Sequence, residues 1–187
     1  MASRGRGSKS KGSNFELKIA KQLTTWWGAT FHRVPGSGSL HWGSDNRVAG
    51  DIVPPQGLDF PFVVECKKHE GWTLDNVLLN TGEPKTWWAQ VVTDSRRVKQ
   101  VPMLIFSRNR AKEYVMVPYS EDLYKMLTDT QKDPTMRTQI TFEDIREEEQ
   151  YFDVLVTTLD ALSKVDPNVL RAYAKEVQWD RYAEFYQ

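Results

Sequence analysis

Residues 61 to 68, "PFVVECKK", constrain this chain more than any other stretch. Phe62, Val63 and Val64 put an aromatic and two β-branched residues in a row, which reads as a buried strand. The strand runs straight into Glu65, Cys66, Lys67 and Lys68. Residues two apart on a strand point the same way, so Glu65 and Lys67 share a face and Cys66 takes the opposite one. Charges at the end of an apolar strand cost free energy unless something pairs with them. A divalent cation on Glu65 would offset that cost, and Lys67 beside it could hold or deprotonate a water. A hard ion such as Mg²⁺ takes oxygen ligands, keeps several waters and usually needs a second carboxylate.

Asp51, in "AGDIV", is the candidate for that second carboxylate. Thirteen residues separate it from Glu65, a spacing that suits a hairpin bringing the two together. Gly50 would let a phosphate or the metal approach the backbone closely. The backbone carbonyl of Cys66 could add a third oxygen.

Around this pair the pattern predicts a mixed sheet flanked by helices, an α/β (α+β) fold. A first helix is expected over about residues 14–27, with Ser13 as N-cap, Gly28 as stop, and Phe15, Ile19, Leu23 and Trp26 at helical spacing. A strand follows at 30–34, then a long Gly/Ser-rich loop, "PGSGSLHWGSDNRVAG", and a short strand at "DIVPP". A helix starting near Pro84 carries Trp87, Val91 and Val98 inward, and "VPMLIFSR" and "KEYVMVP" read as strands. Ser120 caps a short helix. From about Glu143 onward helices are expected, with a break at "DPN" where Pro167 starts a new one.

The net charge is zero, but its distribution is not even. Residues 1–138 hold twenty Lys and Arg against fourteen Asp and Glu; residues 139–187 hold five against eleven. A basic body suggests an anionic partner, although a solvated acidic helix at the end explains the imbalance equally well. The organisation expected is a disordered basic arm (1–12), a main domain (13–138) and an acidic helical C-terminal extension (139–187) packed on the domain or on a dimer partner. No apolar run is long enough for a bilayer, and no apolar stretch follows the first basic residues as a secretory signal would require. Cys66 is the only cysteine, so an internal disulfide is excluded, which is compatible with a reducing cytoplasm. His32, His41 and His69 lack zinc-site spacing, and no Walker loop, GxSxG elbow or HExxH is present.

"GD" followed by "ECK" resembles the motif of the PD-(D/E)XK nucleases, with Gly50 in place of the motif's Pro. Glu16 matches the helical Glu that completes the metal site in that family. "HRVPGSGS" resembles a segment of archaeal-type Holliday junction resolvases and their phage relatives. The resemblance spans about residues 13–117. It implies a restriction-endonuclease-like fold and a metal site of Asp51, Glu65, Glu16 and the Cys66 carbonyl, with Lys67 as the fourth catalytic residue. It implies Mg²⁺ as cofactor, with Mn²⁺ as a substitute, and branched or duplex DNA as partner. Arg33 would contact phosphate, Ser37 would lie near the scissile strand, and Gly36 and Gly38 beside it would bind DNA. It further implies a homodimer in the cytoplasm of a bacterial, archaeal or phage-infected cell, acting in DNA recombination or repair. The chain departs from the family in having Leu17 after Glu16, a longer loop at 40–49, and C-terminal helices outside the match.

Each residue also has a plainer reading. Ser13-x-x-Glu16 is a capping box. Glu65 and Lys67 could be a strand-end ion pair, and Asp51 a turn residue. Arg47 and Lys68 are phosphate ligands or solvated charges. Gln90 faces the site or the solvent. Arg96 and Arg97 track a DNA backbone or serve as cations at a helix C-terminus. The Trp26-Trp27 and Trp87-Trp88 pairs stack on bases or belong to the core. The function expected is a metal-dependent, structure-selective endonuclease, most of all a Holliday junction resolvase. The alternatives are a restriction-like nuclease or repair nickase of the same superfamily, or a non-catalytic DNA-binding module.

Overall fold

A computed structural model describes residues 4–35 and 49–186. Among these residues seven strands form one sheet in the order β1-β2-β3-β4-β5-β7-β6. They are β1 (His32–Arg33), β2 (Ile52–Val53), β3 (Phe62–Lys68), β4 (Val101–Ser107), β5 (Tyr114–Pro118), β6 (Thr135–Glu143) and β7 (Glu149–Thr158). Only the β3–β4 pair is parallel. Its crossover contains α2 (Leu74–Leu78) and α3 (Glu83–Val98). The remaining α-helices are α1 (Arg4–Trp27), α4 (Glu121–Lys125), α5 (Leu159–Leu162) and α6 (Pro167–Glu176). The mixed sheet flanked by helices agrees with the sequence expectation.

Alternation along the strands divides the core in two. Phe62, Val64 and Cys66 of β3 pack with Phe15, Ile19 and Leu23 of α1 and with Leu170 and Tyr173 of α6. Val63 faces the other side, with Trp87, Trp88, Val91 and Val92 of α3. Trp27, Trp87 and Trp88 are buried, so these rings belong to the core and not to a base-stacking surface. Trp27 takes the inward place expected of Trp26, whose indole N–H instead donates to the Val165 carbonyl at 2.8 Å.

Two expectations are corrected. Helix α1 begins at Arg4, so residues 4–12 are helical and not a disordered arm. Ser13 lies inside the helix and is no N-cap. Lys11 helps to anchor this extension through an ion pair with Glu70 at 2.9 Å. Residues 139–158 are also not helical: β6 and β7 form a hairpin, and β7 lies between β5 and β6. A boundary after residue 138 would cut β6, so the acidic segment is part of the sheet. Its alternation is plain at the start of β7, where Gln150 and Phe152 are buried between more exposed neighbours. Asp144 closes the turn by accepting the N–H groups of Arg146 (2.8 Å) and Glu148 (3.1 Å). The break at "DPN" is present, with Asp166 accepting from the Asn168 N–H at 2.7 Å and Pro167 opening α6.

Candidate active site

Gly50 sets the approach of β2 to β3. Its φ is +83°, and a Cβ there would lie 2.5 Å from the Val64 carbonyl oxygen. Glycine is thus required for contact with β3 itself, not to admit a phosphate or metal. The Asp51 N–H donates to that same carbonyl at 2.8 Å, and the Asp51 carbonyl accepts from Val34 at 2.8 Å. The side chain continues the ladder: Asp51 Oδ2 accepts the Cys66 N–H at 2.8 Å. Asp51 therefore lies beside the motif strand, as the hairpin spacing predicts. The N–H and C=O of one strand residue point to the same side, so the Cys66 carbonyl is directed toward the Asp51 side as well.

Glu65 projects from the other face of β3, toward α3, and is 3% exposed. Its Oε1 accepts from Gln90 Nε2 at 2.8 Å and from Lys67 Nζ at 2.8 Å. Burial, and then the nearby Asp51, push the Glu65 carboxyl up to about 8; Lys67 pulls it down by less, and Asp94 adds to the rise. Burial alone would lower Lys67, but the charge and hydrogen bond of Glu65 outweigh it and the ammonium is held above its ordinary range. Two carboxyl groups thus converge where a second negative charge is disfavoured. Asp94, one helical turn beyond Gln90, escaped the sequence reading; its i+4 spacing from Gln90 was the available signal.

Glu16 comes from α1, on the Cys66 side. Its charge reaches Cys66, whose thiol is pushed up by burial first and then by Asp51, Glu65 and Glu16. Glu16 Oε2 lies 3.3 Å from Arg33 Nη1, which also donates to Ser13 Oγ at 3.3 Å. The capping-box reading is excluded, because Ser13 lies within the helix and its hydroxyl accepts from Arg33. Arg33 in β1 is adjacent to Val34, the residue that bonds the Asp51 backbone.

The other candidates divide. Lys68 faces away from Lys67, with Nζ 5.8 Å from the centre of the Phe15 ring. Arg96 is not available to DNA: it forms a buried ion pair with Asp180 at 2.8 Å, donates to Gln150 Oε1 at 2.7 Å and stacks on Tyr186 at 4.1 Å. It clamps the end of the chain to α3. Arg97 is half-exposed, 3.7 Å from Asp94. Gly36, Ser37, Gly38 and Arg47 lie outside the described residues.

Among the described residues, no three His, Cys, Asp or Glu side chains are gathered as a ready cation site. The pair Asp51 and Glu65, with a backbone carbonyl directed to the same side as Asp51, is an all-oxygen donor set of the kind a hard divalent ion takes while keeping several waters. Burial, and then the neighbouring Asp51, disfavour the charged Glu65 carboxylate, and a cation bound there would favour it.

A family model described as "Phage putative PDDEXK endonuclease" matches residues 7–172. No curated protein matches the chain. The fold is similar to a Holliday junction resolvase of the archaeal hyperthermophile Archaeoglobus fulgidus, at 15% identity and a TM-score of 0.37, over 87% of this chain and 96% of that one.

Proposed function

This chain belongs to the family of phage PD-(D/E)XK endonucleases, and we propose from that premise that it is a Mg²⁺-dependent endonuclease hydrolysing phosphodiesters at branched DNA, a Holliday junction resolvase. The observation that carries the nuclease reading is Asp51 brought to the motif strand while Glu65, on the face toward α3, is held between Lys67 and Gln90. Asp51, Glu65 and the Cys66 carbonyl would hold the metal, with Glu16 as a further ligand and Mn²⁺ as a substitute ion. When bound, the ion would lower the pKa of a water and neutralise charge growing on the phosphate.

The chain's own groups do the rest. Gln90 fixes the Glu65 carboxyl by donating to Oε1. Lys67 stays protonated beside Glu65, so its role is to orient a water and to stabilise the transition state electrostatically. The Asp51 carboxylate is immobilised on the Cys66 amide, which limits its reorganisation during the reaction. Branched DNA is favoured by the resemblance of "HRVPGSGS" to resolvase segments. Cutting a four-way junction on two strands requires two sites, hence a homodimer.

The test is a panel of four-way junction, flap, nicked and linear duplex DNA with Mg²⁺. Paired cuts on the junction and slow cleavage of the linear duplex are expected. Equal cleavage of all four would replace the resolvase with a less selective nuclease. Binding without cleavage of any would leave a DNA-binding module.

A further inference from the structure

The C-terminal ends of the parallel strands carry cations that the site chemistry does not use. The turn from β4 to β5 reads Arg108-Asn109-Arg110-Ala111-Lys112, and its three basic residues are exposed. The turn is internally fixed. Ser107 Oγ donates to the Lys112 carbonyl at 3.0 Å, and the Ala111 N–H to the Arg108 carbonyl at 3.3 Å. Arg110 has a φ of 59°, a left-handed conformation that arginine seldom adopts.

Two carboxylates hold α1 against this turn. Glu70 accepts from Lys11 Nζ at 2.9 Å and from the Asn109 N–H at 2.8 Å. Glu113, just past the turn, pairs with Lys18 and also feels the charge of Lys68. Lys11 and Lys18 are seven residues apart and so lie on one face of α1. Six cations therefore surround two carboxylates in a chain of zero net charge.

We propose that this ridge binds the sugar–phosphate backbone of a duplex arm of the substrate, an assignment that rests on the nuclease reading above. The ridge starts at Lys68, next to Lys67, and is extended rather than gathered round a pocket, which suits a polyanion. Glu65 is in register with Leu104, and Arg108, the first residue past β4, lies four residues beyond Leu104. At ~3.3 Å per residue that is ~13 Å from the site. A duplex laid with its axis along β4 has one phosphate per ~3.4 Å on each strand, so the ridge would meet its backbone about four nucleotides from the cut. Exposed Arg and Lys on a turn hold phosphates and position the duplex without reading its sequence.

The test uses the full chain with Asp51→Asn, to stop cleavage. Arg108→Gln, Arg110→Gln and Lys112→Gln are combined, with Lys125→Gln, Lys132→Gln and Lys175→Gln as the control set. Junction affinity is titrated from 50 to 200 mM salt. The ridge variant should give a slope of log K against log salt shallower by about 2 to 3, at about 0.9 per lost phosphate contact. The control set should match its parent. Neutral methylphosphonates placed three to five nucleotides from the mapped cut should weaken the parent several-fold and leave the ridge variant unchanged. Equal slopes for ridge variant and parent, or an equal methylphosphonate effect in both, overturns the proposal. Cleavage by Asp51→Asn would instead overturn the active-site reading, while the salt slopes would still decide the ridge.

Discussion

Glu65 is worth following at the level of a single proton. Its carboxyl titrates at about 8 in the folded chain, against 4.5 ordinarily. Between those values the folded protein holds a proton that the unfolded chain has already lost. Stability without metal must therefore fall as the pH rises from about 4.5 to about 8. Glu65→Gln removes that slope. At pH 8 in chelator the variant should be more stable than the parent by on the order of 1–3 kcal/mol, part of the gain being offset by the lost Lys67 pair. Urea denaturation at pH 5 and pH 8 reads this directly, and parallel pH dependences would refute it. Cleavage should vanish in the same variant, so a gain in stability coincides with a loss of function. Glu16 gives a second outcome at this scale. Its pair with Arg33 is at 3.3 Å, with a third of the Arg33 side chain exposed, so Glu16→Gln should cost less than about 1 kcal/mol. If Glu16 completes the metal site, cleavage falls at least tenfold while the melting temperature holds. A variant with full specific activity would confine Glu16 to a structural role.

At the scale of elements, the sequence was informative wherever one periodicity dominated. The run through β3 and the 3.6-residue repeats of α1 and α3 are steep patterns, and so the pairing of Asp51 with the motif strand was legible. The failures have physical causes. Residues 4–12 lack an apolar face, so nothing local announces a helix; their attachment comes through Lys11 and Glu70, fifty-nine residues apart. The segment "FEDIREEEQ" has the composition of a helix, but Asp144 caps a turn and β7 gains burial between β5 and β6. Of the two readings open for Arg96, the DNA contact fails for a related reason. Its partner Asp180 is eighty-four residues away, and no spacing on α3 distinguishes a buried clamp from a DNA contact. The two sides of that ion pair are each 9% exposed. Arg96→Met would strand the Asp180 carboxylate and should cost about 3 kcal/mol. Adding Asp180→Leu should restore most of it, and Arg97→Gln alone should change stability by less than about 0.5 kcal/mol. Equal losses for Arg96→Met and Arg97→Gln would contradict the clamp.

For the whole molecule, the charge asymmetry now has a location. The acidic segment supplies β6 and β7, and β6 is the sheet edge opposite to β1 and β2, where Asp51 lies. The acidic excess therefore lies away from the edge that carries Asp51. Among the described residues no helix is long and apolar enough to cross a membrane. The described residues of one chain bring together one Asp51–Glu65 pair. Cleaving two strands of a junction within one encounter needs a second site, and a two-fold pair is the simplest way to present it. The consequence can be tested without knowing the interface. Wild-type chain and Asp51→Asn chain are mixed in equal amounts, allowed to exchange subunits, and given a supercoiled plasmid bearing an extruded cruciform. Random pairing makes half of the dimers mixed, each with one working site. Such a dimer cuts one strand; relaxation of the nicked circle then reabsorbs the cruciform and removes the second target. Nicked circles should rise well above the level given by wild-type protein, with linear product falling to about a quarter. If wild-type protein alone already gives nicked circles and mixing only halves their rate, the two chains act independently, and the dimeric assembly is wrong even though the active site stands.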